Sequence, residues 1–477
     1  MMRRLLCQEH GIAVPIVVMI IAIISLLGFT AAFLVESQAT MGRRSSDSER
    51  AIYFAEAGLN KYLWHLNKDS KYYEVPEVDK TADDARLNVD TPFQDGFYRL
   101  QVDPPTTEEP VVTIRSTGWP ASDPTNRRSV EITVRKRQFV QTIYLSGEET
   151  MSSGQTVWWI TGDEVFGPLH TNGTLHIDGD PIFHGPVTYS VNLDVRAGSN
   201  PFYEEGPPQK VAPLTFPPSN SQLKTQAQYN GYYYNGRTCI LLNGNQVTIR
   251  NGTGSAVTRP LPPNGVIYVD GTSNPDESRT DKWNLSRGNV FVSGTLDGRL
   301  TIAAANNIYI THKNPTNFNY LTAGSTGGLR YANDDFDPNG GITDDMLGLV
   351  ANGRIRLLHY YWPTSTWPYY DVLAGLAGDV SPQNVTIHGA LFALNPSWEY
   401  EEWDEGPARG TITLVGSITQ QFRGAVGTFF SLTGTRLTGY NKNYRHDPRM
   451  AYDTPPHFLQ PVNAGWEIVS WKEIANP

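Results

Sequence analysis

The feature that most constrains this chain is a run of 24 residues without a charge, from Ile12 to Val35. A polar segment that contains Arg3 and Arg4 precedes the run. A helix of this length is about 36 Å long, enough to cross a bilayer core of about 30 Å. The run therefore predicts a membrane-spanning helix near the N-terminus.

The helical pattern continues beyond the charge-free run as an amphipathic segment. Its apolar residues recur at steps of three and four, with charged residues between them. One unbroken helix over residues 12–66 would be about 80 Å long, so we expect half of it in the membrane and half projecting outward. The apolar positions are Ile52, Ala55, Leu59, Tyr62, Leu63 and Leu66.

The residues around Gly11 indicate how the N-terminus is processed. A secretory signal has an apolar core of about 7–15 residues with a small-residue cleavage site after it, whereas this run is longer and no convincing site of that kind ends it. Pro15 is tolerated if the helix begins at Ile12, because the backbone N–H of a fourth residue has no partner within the helix. Cleavage between Gly11 and Ile12 fits these constraints, which makes residues 1–11 a leader.

The first 66 residues combine a glycine before the charge-free run with a patch of small residues further along the helix. These features lie in the stretches GIAVPIVVMIIAIISLLGFTAAFLVESQ and AIYFAEAGLNKYLWHL, and both stretches resemble the N-terminal segment of PilX-type minor pilins of bacterial type IV pili. The resemblance implies that a prepilin peptidase cleaves after Gly11 and methylates Ile12. Most major pilins carry a glutamate at the fifth mature position, where this chain has Ile16. The shared features are Gly11, Leu26-Leu27-Gly28 and the patch Ala55, Glu56, Ala57, Gly58 and Leu59.

The resemblance also implies a location and partners. The chain would be a single-pass protein of the inner (cytoplasmic) membrane with its bulk outside the cytoplasm, at the cell surface or in a pilus. Its partners would be other pilins and the pilus assembly machinery. A type II secretion pseudopilin is a variant of this interpretation, and a plain single-pass anchor is the alternative. Small residues such as Gly58 let another backbone come close, so the patch predicts a packing surface for a filament core or a head sheet.

Composition bounds what the rest of the chain can be. The formal net charge is −10, which disfavours general binding of nucleic acid. The 43 glycines and 33 prolines predict a turn-rich β protein. Because Cys7 lies in the predicted leader, Cys239 would be alone in the mature chain, without an intrachain disulfide or a cysteine metal site.

Residues 67–137 predict a small antiparallel β-meander that packs on the outer half of the helix. Three β-branched runs separated by turn residues give strands at 97–102, 111–116 and 130–134. The stretches IRSTGW and RRSVEITV resemble the sheet of a small pilin head. A basic run in this region has the preferred interpretation of a solvated strand edge, and phosphate contacts of a DNA-uptake pilin are the alternative. The run comprises Arg127, Arg128, Arg135, Lys136 and Arg137.

Residues 138–477 predict an extracytoplasmic β-solenoid domain, similar to a parallel β-helix. Short alternating runs of three to five residues, such as 290–292, 300–302 and 308–310, are separated by Asn-Gly and Ser-Gly turns. A β-sandwich is the alternative. The stretches VFGPLHTNGTLHIDGDPIFHGPVT and DDMLGLVANGRIRLL also resemble an uncharacterised domain that often follows PilX-type segments. The predicted fold class is therefore a long N-terminal helix, a small antiparallel sheet and a mainly β solenoid.

Two groups of residues have the chemistry of metal ligands. Asp335, Asp337 and Asn339 match the first half of a calcium loop. Met346 stands at the twelfth position, however, and an acidic surface loop is the preferred interpretation. His170, His176 and His184 fall close together, but their spacings of six and eight do not guarantee that they share a face, so turn or stacking histidines are the preferred interpretation. Apart from calcium, the sequence indicates no cofactor.

Acidic and aromatic clusters complete the candidates. The acidic patch that begins at Glu399 could hold a hydrolytic pair of carboxylates in a polysaccharide-active β-helix enzyme, but a charged loop is the preferred interpretation and no enzyme is predicted. Aromatic-rich loops suit contacts with sugars or proteins, or they cap the domain. The acidic residues are Glu399, Glu401, Glu402, Asp404 and Glu405, and the aromatic groups are Tyr232–Tyr234, Tyr360–Trp362 with Trp367, Tyr369 and Tyr370, and Trp398, Tyr400 and Trp403.

Overall fold

The chain forms two compact units in a computed structural model. Unit 1 comprises Met1–Lys136 and Trp466–Pro477, and unit 2 comprises Arg137–Gly465. Side chains are described from Ile16 onward. The structure describes residues 13–69, 72–105, 111–318, 327–333, 344–361, 379–430, 435–451, 453–462 and 465–475.

Unit 1 is a long helix with one small antiparallel sheet. The helix, α1, spans Ala13–Lys68 and agrees with the prediction of one continuous helix. In the described residues the sheet has five strands in the order β1-β2-β3-β4-β31. Its strands are β1 (Thr91–Phe93), β2 (Gly96–Asp103), β3 (Val112–Pro120), β4 (Arg128–Lys136) and β31 (Trp466–Ile474), and short 3₁₀ helices lie at Tyr72–Glu74 and Glu77–Asp79.

Alternating side chains of the sheet form the core of unit 1 against the outer half of α1. Strand β2 alternates buried and partly exposed residues over most of its length, as a sheet with one covered face requires. The apolar stripe predicted on the helix meets this face, and its burial is the main favourable term for folding the unit. The core includes Ala55, Leu59, Tyr62, Leu66, Tyr98, Leu100, Ile114, Val130, Ile132 and Val134.

The last strand of the chain corrects the predicted domain boundary. Strand β31 pairs with β4, from Trp466 opposite Lys136 to Ile474 opposite Ser129. The prediction that one domain runs from 138 to 477 is therefore wrong at its C-terminal end. Unit 2 is an insertion between two neighbouring strands of unit 1. Local patterns do not show which distant strand a given strand will pair with, so they do not predict this return.

Unit 2 is built mainly from short strands, as predicted. Its first part has β5 (Tyr144–Glu148), β6 (Trp159–Ile160), β7 (Glu164–Phe166), β8 (Leu169–Thr171), β9 (Leu175–Asp178), β10 (Ile182–Phe183), β11 (Val187–Tyr189), β12 (Leu193–Val195), β13 (Phe202–Tyr203) and β14 (Gln209–Lys210). Helix α2 (Ser221–Asn230) follows. Next come β15 (Tyr232–Asn235), β16 (Thr238–Gly244), β17 (Gln246–Asn251), β18 (Val257–Pro260), β19 (Val266–Asp270), β20 (Val290–Leu296), β21 (Arg299–Ala304) and β22 (Ile308–Ile310).

The remaining strands of unit 2 include the longest ones. They are β23 (Gly328–Tyr331), β24 (Met346–Ala351), β25 (Ile355–Leu357), β26 (Val385–Ala393), β27 (Trp398–Tyr400), β28 (Ala408–Phe422), β29 (Gly427–Phe429) and β30 (Arg436–His446). Short 3₁₀ helices lie at Phe139–Gln141, Asp281–Trp283 and Pro448–Ala451. Among the described residues, 23 strands form one hydrogen-bonded sheet, and β12, β9 and β6 form a second.

Parallel pairing dominates the large sheet and aligns apolar residues from strand to strand. One such row runs through β19, β21, β24, β26, β28 and β5, and each residue in it is the direct partner of the next. All six side chains are buried, which explains why these short strands need no long apolar run of their own. The antiparallel pairing of a β-sandwich does not describe this row. The row is Ile267, Ile302, Leu349, Leu391, Ile418 and Tyr144.

Candidate functional site

Glycines bring the outer half of α1 into close contact with its own sheet. A Cβ atom on Gly118 of β3 would lie 2.2 Å from the carbonyl oxygen of Ala51 and 2.4 Å from the amide nitrogen of Ala55. A Cβ atom on Gly58 would lie 2.5 Å from Oγ of Ser116. No real Cβ sits this close to such atoms. The helix backbone therefore lies directly on β3, at a distance that only glycine allows.

The residues of the predicted helix-packing patch lie on two sides of α1, one buried and one partly exposed. Ala55, Gly58 and Leu59 are buried against the sheet, while Glu56 and Ala57 are partly exposed. Of the two packing partners that the sequence left open, the structure places the head sheet of the same chain on the patch. Contact with a neighbouring helix in a filament stays a prediction for the partly exposed side.

The inner half of α1 presents apolar side chains to its surroundings. Phe29 and Phe33 are 78% and 72% exposed, and no charged residue interrupts the segment between Ile16 and Val35. A contiguous apolar surface of this kind requires a nonpolar environment. Among the described residues, one helix is long and apolar enough to cross a membrane, and it is this one. It is compatible with single-pass anchoring. Gly11 and Ile12, the predicted processing residues, lie outside the described part of the chain.

The basic run faces carboxylates of the C-terminal strand. Arg128 pairs with Glu473, and Arg135 pairs with Glu467 at 2.8 Å. The guanidinium of Arg127 lies 4.1 Å from the centre of the Trp119 ring. Strand β4 is not an edge strand, so the interpretation of a solvated edge is wrong. Both arginine pairs would have to open before their guanidinium groups could neutralise a phosphate.

The remaining two basic residues of the run have different surroundings. Lys136 ends β4, and its burial lowers the pKa of the ammonium group. Arg137 is the first residue of unit 2. A desolvated lysine is a weaker phosphate contact than a solvated one, because burial disfavours its charged form.

Glu131 connects the two strands that flank the insertion. Its carboxylate binds the ammonium of Lys472 on β31 at 2.7 Å and the guanidinium of Arg115 on β3 at 2.5 Å. Lys472 first, and then Arg115, hold the pKa of Glu131 below its usual range although burial acts in the opposite direction. The C-terminal strand thus supplies a positive charge to the buried carboxylate of Glu131.

The three histidines do not form a common metal site. His170 bonds with Thr188 at 2.8 Å and with Asn172 at 3.0 Å, and burial lowers its pKa to about 4. His176 bonds with Asp194. In the part of the chain that the structure describes, no group of three or more His, Cys, Asp or Glu side chains is arranged so that it could hold a metal ion. The calcium candidates Asp335, Asp337 and Asn339 lie outside the described residues.

A separate environment surrounds His184. Its ring lies between Glu164 at 2.8 Å and Glu204 at 2.7 Å, so both nitrogens face carboxylates. The hydrogen bonds to Glu164 first and to Glu204 second raise the pKa of the imidazole. Glu164 lies on β7, and His184 and Glu204 directly follow β10 and β13. Parallel pairing places these three strands side by side and so forms the row of Glu164, His184 and Glu204, called the His184 row.

The acidic patch is partly buried, so the prediction of a charged loop is wrong for two of its residues. Glu399 is held by Arg354 and Arg356, each at 2.7 Å. Glu401 pairs with Lys282, and both are almost completely inaccessible. Burial raises the pKa of Glu401, but Lys282 and then Arg356 bring it below its usual range overall. A carboxylate that is sealed and held ionised, as Glu401 is, serves the fold and is poorly placed to act as a hydrolytic acid.

The outer acids of the patch fit the prediction better. Glu402 and Glu405 pair with Arg279 at the surface. These bridges are partly exposed to solvent, and Asp404 is exposed. They form a charged surface turn, as predicted.

Most of the described aromatic candidates belong to strands rather than to loops. Trp398 and Tyr400 lie on β27 and are buried in the main core of unit 2. Tyr232, Tyr233 and Tyr234 form most of β15. In β15 these residues alternate between partly buried and exposed positions. The sequence alone did not predict this alternation, because it depends on pairing with β19. Trp403 is half-buried in the turn that follows β27, and the aromatic residues between 362 and 370 lie outside the described part.

Comparison with known proteins gives limited information. No family model matches the sequence, and no curated protein matches it. Among solved structures, the chain is similar to the crystal structure of the competence-associated pilin ComZ from Thermus thermophilus, at 12% identity over 90% of this chain and 98% of that chain. The TM-score is 0.29. Values this low assign neither a fold nor a function to the chain.

Proposed function

We propose that this chain is a minor pilin of the PilX type, anchored in the inner membrane by α1, that displays unit 2 outside the cytoplasm as a β-solenoid. The observation that carries the proposal is the continuity of α1. The helix passes from an exposed, charge-free half into a half packed on its own sheet without a break. Such a helix fixes the head relative to the membrane segment.

A plain anchor would not require this construction. A membrane span connected to an outside domain works equally well through a flexible linker. Here the three glycine contacts of Gly58, Gly96 and Gly118 keep the helix pressed against the head. Cleavage by a prepilin peptidase between Gly11 and Ile12 would then leave the apolar half of α1 at the mature N-terminus, ready to enter a helical filament.

The first test concerns processing. Terminal sequencing of the protein from its native membrane should find Ile12, with a methylated amino group, as the first residue. Gly11→Leu should block cleavage and leave the leader in place, whereas Gly28→Ala, a change inside the apolar segment with no atom within 4 Å of the added carbon, should be cleaved normally. A terminus at Met1, or one beyond Val35, would contradict the proposal.

The second test concerns the filament. Immunoblots of sheared filaments should detect the protein, and deletion of the gene should reduce piliation. Gly11→Leu should abolish recovery in filaments while the protein stays in the membrane fraction. If the wild-type protein never appears in sheared filaments and its deletion leaves piliation normal, the plain-anchor interpretation replaces this one.

A further inference from the structure

A cleft of about 850 Å³ lies on unit 2, between the loop that follows β5 and strands β9 and β29. The volume falls in the range of small-molecule binding sites. Three aromatic side chains contribute to its walls, together with hydroxyl groups and one carboxylate. The residues that matter for its chemistry are Trp158, Trp403, Phe429, Thr161, Thr428 and Asp178.

The aromatic rings combine exposure with fixed positions. Phe429 is 40% exposed, and Trp158 and Trp403 are half-buried. Trp403 packs against the main core of unit 2, and its carbonyl oxygen accepts a hydrogen bond from Thr438 at 2.6 Å. Rings that are held before a ligand arrives lose little conformational entropy when it binds.

A cation–π contact and an edge-on ring contact hold Trp158. The guanidinium of Arg196 lies 4.0 Å from the centre of its ring and pairs with Asp178 at 2.5 Å. The His176 ring packs edge-on against Trp158 at 5.1 Å and bonds with Asp194 at 2.9 Å. The indole therefore belongs to an ordered layer of side chains on β9 and β12.

A buried ion pair fixes the loop that carries Trp158. Glu149 and Arg423 pair at 2.8 Å, with side chains that are 0% and 3% exposed. The indole nitrogen of Trp159 donates to Glu149 at 2.9 Å, and the Arg423 guanidinium lies 3.9 Å from the centre of the Trp159 ring. The amide of Val157 donates to the Glu149 carbonyl at 3.0 Å. Both ends of the loop are thus tied to one buried charge pair, which preorganises this wall of the cleft.

The charges of the cleft exclude one class of ligand and favour another. None of the described residues that line it is a lysine or an arginine, and its carboxylate, Asp178, is already paired. A phosphate or sulfate group would find no cation in the wall to neutralise it. Aromatic faces attract C–H groups through their negative quadrupole, and the threonine hydroxyls and backbone groups exchange hydrogen bonds with hydroxyls. A pyranose ring has C–H groups on its faces and hydroxyls around its edge.

We propose that this cleft binds a neutral oligosaccharide. The site lies wholly within unit 2, so it does not depend on the assignment as a pilin subunit. If the chain is a pilin subunit, the cleft would let unit 2 bind an uncharged polysaccharide on a surface. Among the described residues that line the cleft there is one carboxylate, Asp178, and it is paired with Arg196. Because glycoside hydrolysis generally uses two carboxylates, we assign the cleft to binding.

The test is calorimetric titration of the full chain, purified in a zwitterionic detergent because glycoside detergents would compete for the site. The probes are maltohexaose, cellohexaose and N-acetylchitohexaose, each titrated separately. At least one should bind saturably at one site per chain. Trp158→Ala and Trp403→Ala should each weaken that binding about tenfold, as the loss of one stacked ring predicts. Trp471→Ala, which removes a 51% exposed indole from unit 1, should leave it unchanged.

Near-UV circular dichroism shows whether each tryptophan variant is folded. If one of them is misfolded, two further variants keep the test decisive. Phe429→Ala removes an exposed ring and should weaken binding, whereas Trp158→Phe retains a ring and should preserve most of it. The proposal is overturned if none of the three probes binds at millimolar concentration, or if binding survives in all the cleft variants. It is also overturned if a single-stranded DNA hexamer binds in the cleft instead. Recovery in sheared filaments is measured independently, so failure here leaves the filament test intact.

Discussion

Lys136 and Trp466 are direct partners on neighbouring antiparallel strands, although the whole of unit 2 lies between them in the sequence. The sheet of unit 1 is therefore closed by the last strand of the chain. Both connections to the insertion start from one point of that sheet. Unit 1 cannot complete this sheet until β31 has been made.

Removal of the C-terminal strand should disturb unit 1. A chain truncated before Trp466 loses the hydrogen-bond partners of β4 and leaves Arg128, Arg135 and Glu131 without their β31 charges. We expect amide hydrogen exchange in peptides covering 128–136 to accelerate strongly. A chain truncated after Ile474 is the control and should exchange as the full chain does. Unchanged protection in the longer truncation would refute the role of β31.

A single added methyl group at Gly118 should destabilise unit 1. The Cβ would meet the backbone of α1 at 2.2 Å and 2.4 Å, so either the helix or the strand must move. We expect Gly118→Ala to cost about 1–3 kcal/mol, the usual range for overpacking. Gly42→Ala is the control on α1, where nothing lies within 4 Å of the added carbon, and it should be neutral or stabilising because alanine favours helices. Urea denaturation in detergent, followed by far-UV circular dichroism, measures both; equal stabilities would contradict the packing.

The Lys282–Glu401 pair should behave as a coupled buried pair. Glu401→Gln leaves the buried Lys282 ammonium without its counter-charge, and loss of one partner of a buried pair costs about 3–5 kcal/mol. The double variant Lys282→Met/Glu401→Gln should be less destabilised than the sum of the two single variants. The measurement is a double-mutant cycle of unfolding free energies. Simple additivity would show that the two charges do not stabilise each other.

The His184 row predicts a pH dependence of stability. Because Glu164 and Glu204 raise the pKa of His184 in the folded chain, its contribution is fully present below the unfolded value of 6.5 and is lost as pH rises through the folded value. We expect NMR titration to give a pKa above 6.5 for this imidazole. Glu164→Gln together with Glu204→Gln should bring it down. A pKa at or below 6.5 in the wild-type chain would show that the carboxylates do not act on the ring.

Nucleic-acid binding should be absent at physiological salt. Arg128 and Arg135 are engaged with Glu473 and Glu467, and the net charge is −10. Fluorescence anisotropy with a labelled duplex should therefore show no sub-micromolar binding by the full chain. Glu467→Gln with Glu473→Gln removes these two carboxylate partners from the arginines and should introduce weak, salt-dependent binding. Sub-micromolar binding by the wild-type chain, lost on charge reversal of the basic run, would favour a DNA-uptake pilin.

Local pattern was enough for the parts of this protein that depend on neighbouring residues. The charge-free run and the apolar stripe determined α1, since helix formation and hydrophobic periodicity are local properties. The alternating β-branched runs determined β2, β3 and β4 for the same reason. The short apolar runs of unit 2 also became strands. Such patterns indicate which face of a helix or strand is apolar and how the backbone is bonded nearby.

Pairing between distant segments was decided only by the tertiary structure. The return of β31 to β4, the burial of Glu399 and Glu401 and the assembly of the cleft from residues near 158, 178, 403 and 428 all join positions far apart in the chain. A carboxylate in a run of acids looks like a solvated loop until a lysine or an arginine from another strand is placed beside it. The free energy that selects such pairs comes from burial and charge compensation between distant segments. Local sequence patterns therefore do not predict them.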